Sequence, residues 1–273
     1  MRASHASQRA ARRKAMTSSK TLVLMGRYPT PGKCKTRLAK AIGSDARAAR
    51  IYETLVRVVL ERVREPFTTK VGYDLKFSCA AVEDVEPCAA LFRPGESWDV
   101  RGGDETSRAP RVEAQVQVAD LGERIIRALF GETARGEEGM CCVAGTDIPG
   151  FGANHAEDAF GVLANGSADV VFGPCDDGGF YCVAARSGAG VEDKLRLAFD
   201  GVPWSSERTL RECVERCENV GLRVDATSLP ELIDVDELED LRRVLDDMDS
   251  AGEVSSSTVA LYREMRDIVD ASG

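Results

Sequence analysis

Met140-Cys141-Cys142-Val143-Ala144-Gly145-Thr146-Asp147-Ile148-Pro149-Gly150 is the stretch that decides the fold. Its unbroken apolar run over residues 140–144 reads as a strand buried on both faces, the condition of a central parallel strand. The run ends in Gly-Thr-Asp, so the Asp147 carboxylate emerges at the strand's end. Pro149 stops the strand and Gly150 allows a sharp departure. In open α/β sheets ligands bind outside the carboxyl ends of strands, which makes Asp147 a candidate site residue. A carboxylate there can hold Mg²⁺ or Mn²⁺ and bridge it to phosphate oxygens; the plain alternative is a capping or turn aspartate.

Working outward, short apolar runs alternate with longer amphipathic ones, the pattern of βαβ units around a mainly parallel sheet. Strands are predicted at residues 21–25, 71–77, 169–172, 180–185 and 222–224. Helices are predicted at 45–64, 121–130, 157–163, 205–217, 238–248 and 258–269. The first helix takes Ser44 as N-cap and carries Ile51, Leu55, Val58, Val59 and Val63 at helical spacing. Residues 94–111 are polar and rich in Gly, Arg and Asp, and read as a surface insertion. One doubly wound domain over residues 20–250 is expected, followed by a C-terminal helix within 251–273.

The 273 residues carry a net charge of −9 with 43% hydrophobic residues, ordinary for a globular chain. An acidic body excludes non-specific nucleic-acid binding, so any phosphate site has to be local. No apolar run approaches the roughly 20 residues needed to span a bilayer. Arg2, Arg9, Arg12, Arg13, Lys14 and Lys20 crowd an acid-free start, and residues 1–19 are expected to be a disordered basic leader. Organellar transit peptides share that composition; a plain disordered tail, or an upstream mis-start with Met16 as the true beginning, is the preferred reading. The 9 cysteines form no C-x-x-C pair and only 2 histidines accompany them, so neither a disulfide framework nor a zinc site is expected. That points to a reducing compartment, the cytoplasm or an organelle.

A second segment, Gly26-Arg27-Tyr28-Pro29-Thr30-Pro31-Gly32-Lys33-Cys34-Lys35-Thr36-Arg37, follows the first strand. Lys33, Lys35 and Arg37 beside Gly32 make a phosphate-binding loop, against the alternative of a solvated basic turn. It is not a P-loop: five residues separate Gly26 from Gly32, and Cys34 stands where magnesium needs a hydroxyl. A third segment, Phe172 through Asp176, Asp177, Gly178 and Gly179 to Tyr181, puts two acids and two glycines between strands; a plain hairpin uses Asp-Gly too. Near the end, the stretch that carries Asp234, Asp236 and Asp240 opens a helix, where capping is the default reading for at least one. His155 and Trp204 read as packing residues, while Cys213 and Cys217 on one helix face suit a core or an interface.

The order K-x-K-T-R-L, Leu121-Gly122-Glu123-Arg124, G-T-D-I-P, G-P-x-x-D-G-G-F-Y and D-V-D-x-x-x-D-L resembles one family. It is the glycosyltransferase-A-like family of the nucleotide-diphospho-sugar transferases, of the type often encoded beside radical-SAM and selenium- or arsenic-linked genes. The resemblance spans residues 20–250. It implies a Rossmann-like three-layer sandwich, mostly parallel with one mixed strand, and a divalent metal, Mg²⁺ or Mn²⁺. By position it implies Asp147 and Lys35 as catalytic residues and Asp147 and Asp236 as metal ligands. Arg27, Gly32, Lys33, Lys35, Arg37 and Thr146 would meet the nucleotide, and Asp177, Gly178 and Gly179 would border the acceptor. Cys34 and Cys175 replace commoner small or apolar residues, which bears on packing, and the insertion leaves the substrate open.

Two reactions fit: nucleotidylyl transfer from a nucleoside triphosphate to a phosphorylated small molecule, or glycosyl transfer from a nucleotide-sugar. A single aspartate in place of D-x-D and a basic loop on the first strand tilt the reading toward the former. A non-catalytic nucleotide-sensing protein of the same fold is the reading from another class. The partners expected are a nucleotide and a small-molecule acceptor, with neither nucleic acid nor membrane; the oligomeric state stays open.

Overall fold

The computed structural model describes residues 19–92, 110–131, 139–188, 190–250 and 256–271. A seven-stranded sheet runs β3-β2-β1-β4-β6-β5-β7. Its strands are β1 (Ser19–Gly26), β2 (Tyr73–Cys79), β3 (Arg111–Ala114), β4 (Gly139–Gly145), β5 (Val170–Pro174), β6 (Phe180–Arg186) and β7 (Val224–Asp225). Every neighbouring pair is parallel except the two made by β6, which runs antiparallel to both β4 and β5. The expected α/β sheet with one mixed strand is therefore the observed one. The carboxyl ends of β1, β4 and β5 share one edge, and the connection into β6 returns there.

The helices are α1 (Thr36–Ile42), α2 (Asp45–Phe67), α3 (Val85–Leu91), α4 (Leu121–Phe130), α5 (Ala153–Asn165), α6 (Val191–Phe199), α7 (Thr209–Asn219), α8 (Leu238–Ser250) and α9 (Ser256–Asp270). Strand alternation divides the core. Leu22, Leu24, Cys142 and Ala144 face α2 and α5, while Val23, Cys141 and Val143 face α4, α6 and α7. A third cluster joins Ile51, Leu55 and Val58 on the outer side of α2 to Leu241 and Leu245 of α8 and Met265 of α9. Helix α2 is thus buried on two sides, and the C-terminal helix is packed onto it.

Ser44 caps α2 as expected, its hydroxyl accepting from Arg47 N at 3.3 Å. The backbone leaves helical geometry at Glu65 because Pro66 follows, which is why the helical periodicity fades at residue 64. Several boundaries differ from expectation. Val71 is exposed in a turn, and the second strand starts at Tyr73. Residues 205–208 are not helical: Ser205 sits at φ 61° and α7 begins at Thr209. Helices α1, α3 and α6 and edge strand β3 are too short for their periodicity to register. Of the expected insertion only its last two residues are described, and Arg111 belongs to β3; residues 94–109, like 1–18, lie outside the described residues. All nine cysteines are free thiols and buried, Cys213 and Cys217 within the core. Among the described residues no helix is long and apolar enough to cross a membrane.

Candidate active site

Three pieces of backbone bring the site together. The loop after β1 folds on itself: Lys33 N donates to Thr30 O at 3.0 Å and the Arg27 guanidinium to Lys33 O at 2.8 Å. Gly32 takes φ +77° there, a conformation glycine enters without strain. The loop ends on Lys35, the N-cap of α1, itself in the left-handed region at φ 44°, ψ 49°. The loop after β4 is clamped by α2, since Arg62 donates to Gly150 O and Phe151 O, both at 3.2 Å. The third piece extends the sheet beyond β5. Leu232 N donates to Pro174 O at 3.1 Å, Asp176 N to Leu232 O at 3.3 Å, and Val235 N to Asp147 O at 3.1 Å.

In this extended segment residues i and i+2 face one way, so Asp234 and Asp236 both turn toward Asp147. One carboxylate oxygen from each of the three lies within 4.8 Å of the others. Lys35 Nζ is set among them, 2.9 Å from Asp147 Oδ2, 2.9 Å from Asp236 Oδ1 and 3.7 Å from Asp234 Oδ1, with its side chain only 5% exposed. Burial works against the Lys35 charge, but Asp147, Asp234 and Asp236 outweigh it and hold the ammonium above the ordinary lysine range. Burial and the neighbouring Asp147 charge push the Asp234 carboxyl up to about 8. Burial also opposes ionisation of Asp236, yet Lys35 and then Arg37 win and hold it below the usual value. Asp234 Oδ1 is buried without a hydrogen-bond partner.

The donor set suits a small divalent ion: hard carboxylate oxygens on converging loops, one of them orphaned, with an ammonium already standing among them. Arg37 lies at the rim, 3.5 Å from Asp236 Oδ2, and Lys33 is exposed on the loop. Two expected site residues are arranged otherwise. The Thr146 hydroxyl points inward to Tyr52 Oη at 3.0 Å and Thr146 is 1% exposed, so its side chain is spent on packing rather than offered to a nucleotide. Gly178 holds a turn: its N–H donates to Cys175 O and its carbonyl accepts from Leu210 N. Asp177 is exposed and closes that turn by accepting from Gly179 N at 2.8 Å, while Asp176 pairs with Arg243 at 2.7 Å.

Asp234 was missed as a site residue, although the i, i+2 spacing of Asp234-Val235-Asp236 carries the signal. Capping belongs to Asp240, which accepts from Asp236 N and Glu237 N. Gln115 was missed outright. It is buried, donates to Gly26 O and Ser78 O, and accepts from Arg124 at 3.2 Å. The Leu121-Gly-Glu-Arg124 motif thereby tethers the ends of β1 and β2. Gly122 is required there because a Cβ would lie 2.8 Å from the Trp204 ring. His155, as expected, is a packing residue; its Nδ1 accepts from Gly152 N at the start of α5.

The profile of a family described as uncharacterised proteins conserved in bacteria (DUF2064) matches residues 78–206, a little under half of the chain. A crystal structure from Desulfovibrio desulfuricans G20, provisionally named a nucleotide-diphospho-sugar transferase, superposes with a TM-score of 0.72 at 27% identity, covering 93% of this chain and 98% of that one. This chain has the fold of the nucleotide-diphospho-sugar transferases. Looser likenesses include 4-diphosphocytidyl-2C-methyl-D-erythritol synthase from Anaerococcus prevotii DSM 20548, at 10% identity, 85% and 99% coverage and a TM-score of 0.48. Another is glucosyl-3-phosphoglycerate synthase from Mycobacterium tuberculosis, solved with Mn²⁺ and UDP, at 10% identity, 96% and 82% coverage and a TM-score of 0.43. No curated protein sequence matches the chain.

Proposed function

We propose that the protein is a metal-assisted transferase acting on a nucleoside triphosphate and a phosphorylated small-molecule acceptor. The observation that carries this is the meeting, at one edge of the sheet, of Asp147, Asp234 and Asp236 with Lys35 and Arg37. Residues 20–250 form the proposed functional unit, with α9 buttressing α2 behind it. The type encoded beside radical-SAM genes, read from the motif order, belongs to the same proposal.

In the reaction an acceptor phosphate oxygen attacks the α-phosphorus. A new P–O bond forms, the bond from the α-phosphorus to the α,β-bridging oxygen breaks, and pyrophosphate leaves with that electron pair. Asp147, Asp234 and Asp236 would hold Mg²⁺ or Mn²⁺, which when bound neutralises phosphate charge as it shifts toward the leaving group. Lys33, Lys35 and Arg37 steady the departing pyrophosphate by charge-assisted hydrogen bonds. Arg27 and Gly32 shape the loop that receives the phosphates, and the Asp177–Gly179 turn borders the acceptor.

The name of the Desulfovibrio relative favours a second reading, glycosyl transfer. There an acceptor hydroxyl attacks the sugar carbon, the carbon–oxygen bond to phosphate breaks, a nucleoside diphosphate leaves, and a carboxylate takes the hydroxyl proton.

The test is a thermal-shift screen of nucleoside triphosphates and nucleotide-sugars, with and without Mg²⁺ or Mn²⁺, on wild type and Asp147→Asn. A metal-dependent shift with one triphosphate, lost in the variant and followed by pyrophosphate release, supports nucleotidylyl transfer. A shift confined to a nucleotide-sugar moves the assignment to glycosyl transfer. Binding without turnover of any acceptor favours the sensing role, and silence throughout overturns the nucleotide reading.

A further inference from the structure

The position of Lys35 is not that of a residue waiting for phosphate. Its side chain is only 5% exposed, its ammonium lies within 3.7 Å of three carboxylates from two other loops, and it is launched from a left-handed backbone that non-glycine residues rarely adopt. The three carboxylate oxygens converge within 4.8 Å of one another around it. Without a cation between them, three carboxylates so close would repel strongly in this part-buried setting. Lys35 therefore holds the triad together. The same geometry means that an ammonium and a divalent ion cannot both occupy the space, because like charges a few ångströms apart repel as strongly as the carboxylates attract.

We propose that Lys35 is a resident counter-cation of the Asp147–Asp234–Asp236 triad that must withdraw before a divalent cation is held there, and that the nucleotide's phosphates receive it when it does. This rests on the metal-assisted reading given above. Lysine suits the exchange: its charge is compact and its four-carbon stem flexible, so the head can swing without moving α1. Lys33 on the same loop and Arg37 in the first turn of α1 mark where an anionic ligand would draw it. The consequence is coupling. Metal alone has to expel Lys35 into solvent, whereas metal with a triphosphate gives the ammonium a new partner, so each raises the other's affinity by the same factor. Metal-free protein is thereby kept from being loaded with metal in the absence of nucleotide.

The test measures Mn²⁺ binding to nucleotide-free protein by the loss of the free-ion electron paramagnetic resonance signal, in wild type, Lys35→Met and Lys35→Arg. Wild type should bind weakly, Lys35→Arg as weakly, and Lys35→Met at least about tenfold more tightly, the sign of an expelled competitor. In melting experiments Mn²⁺ alone should raise the melting temperature of Lys35→Met, whereas wild type should respond to Mn²⁺ only with ATP, GTP, CTP or UTP present. Should Lys35→Met melt too low to titrate, Lys35→Gln is read in its place. If the neutral variants bind Mn²⁺ no more tightly than wild type while wild type keeps its nucleotide-dependent response, the competition is wrong and the metal reading stands. If no variant binds Mn²⁺ with or without nucleotide, both fall.

Discussion

The Tyr52 hydroxyl lies 3.0 Å from Thr146 Oγ1 and accepts from Arg27 N at 3.1 Å, so one buried phenol on α2 ties the loop carrying Lys35 to the loop carrying Asp147. Burial, with the nearby Asp147 charge, pushes its pKa up to about 12. It is therefore protonated at neutral pH, and it shares a hydrogen bond with the Thr146 hydroxyl while accepting from Arg27 N. Tyr52→Phe keeps the ring and deletes the bridge. The expected loss is about 1–2 kcal/mol of stability in chemical denaturation, the range for a hydrogen bond removed with a buried partner left behind. Any nucleotide-dependent thermal shift should weaken with it. An unchanged denaturation midpoint would show that the two loops are held by other means.

Gly178 separates architecture from chemistry in the Asp-Gly-Gly turn. At φ +83° an added Cβ would collide with the backbone of Glu207, which cannot swing aside as a side chain does. Gly178→Ala should therefore lower stability by more than about 1 kcal/mol, combining the cost of a left-handed alanine with displacement of the segment before α7. Gly179→Ala has a milder conflict, a Cβ 3.0 Å from Asp177 Oδ1. It should melt near wild type while altering acceptor use. Equal melting temperatures for the two variants would contradict this division.

His155 supplies a pH dependence with a definite sign. Burial, and then the Arg62 charge, hold its pKa below the free value, while its Nδ1 lone pair is committed to Gly152 N. The unfolded chain therefore takes up a proton that the folded chain resists. The stability this group contributes is fully present above about pH 6.5 and is lost as pH falls through the lower folded value. His155→Asn places an oxygen near Nδ1 without a titrating ring. The wild-type melting advantage over this variant, measured at about pH 7.5, should shrink by about pH 5.5. A constant difference would mean that the ring packs without titrating.

The strand at residues 140–144 and the three loops around the site were legible because each rests on local chemistry. Continuous apolarity marks a doubly covered strand, and Gly, Pro and Lys mark a charged turn at the end of one. What escaped depended on tertiary pairing. Nothing local shows that the Asp234 segment lines up beside Pro174 and Asp176, and without that alignment Asp234 looks like any acid before a helix. Lys35 was expected to meet phosphates, whereas the acids that surround it come from two other loops that its local sequence cannot name. The Thr146 side chain points elsewhere for a related reason: the alternation that turns Asp147 outward turns its predecessor in toward Tyr52. Helix α1 has only seven residues, too few for a period to emerge.

Asp234 offers the sharpest opposition between stability and function. Its Oδ1 is buried without a hydrogen-bond partner, its nearest cation is Lys35 at 3.7 Å, and Asp147 already has the closer contact with that lysine. In metal-free protein at neutral pH the folded chain therefore keeps a proton on this carboxyl, pushed up to about 8, that the unfolded chain would release, and holding it costs stability. Asp234→Asn removes that cost at constant shape, so the metal-free variant should melt at or above the wild-type temperature at neutral pH. The same change deletes one anionic ligand, so Mn²⁺ with nucleotide should stabilise it far less, an exchange of binding for stability of the kind active sites show. Asp236→Asn should behave differently, because Asp236 makes direct pairs with both Lys35 and Arg37 and loses them on neutralisation. Its metal-free melting temperature should fall slightly while ligand stabilisation falls too. If Asp234→Asn instead melts well below wild type and keeps its ligand response, Asp234 is a partner that Lys35 needs for folding and not a ligand held in reserve.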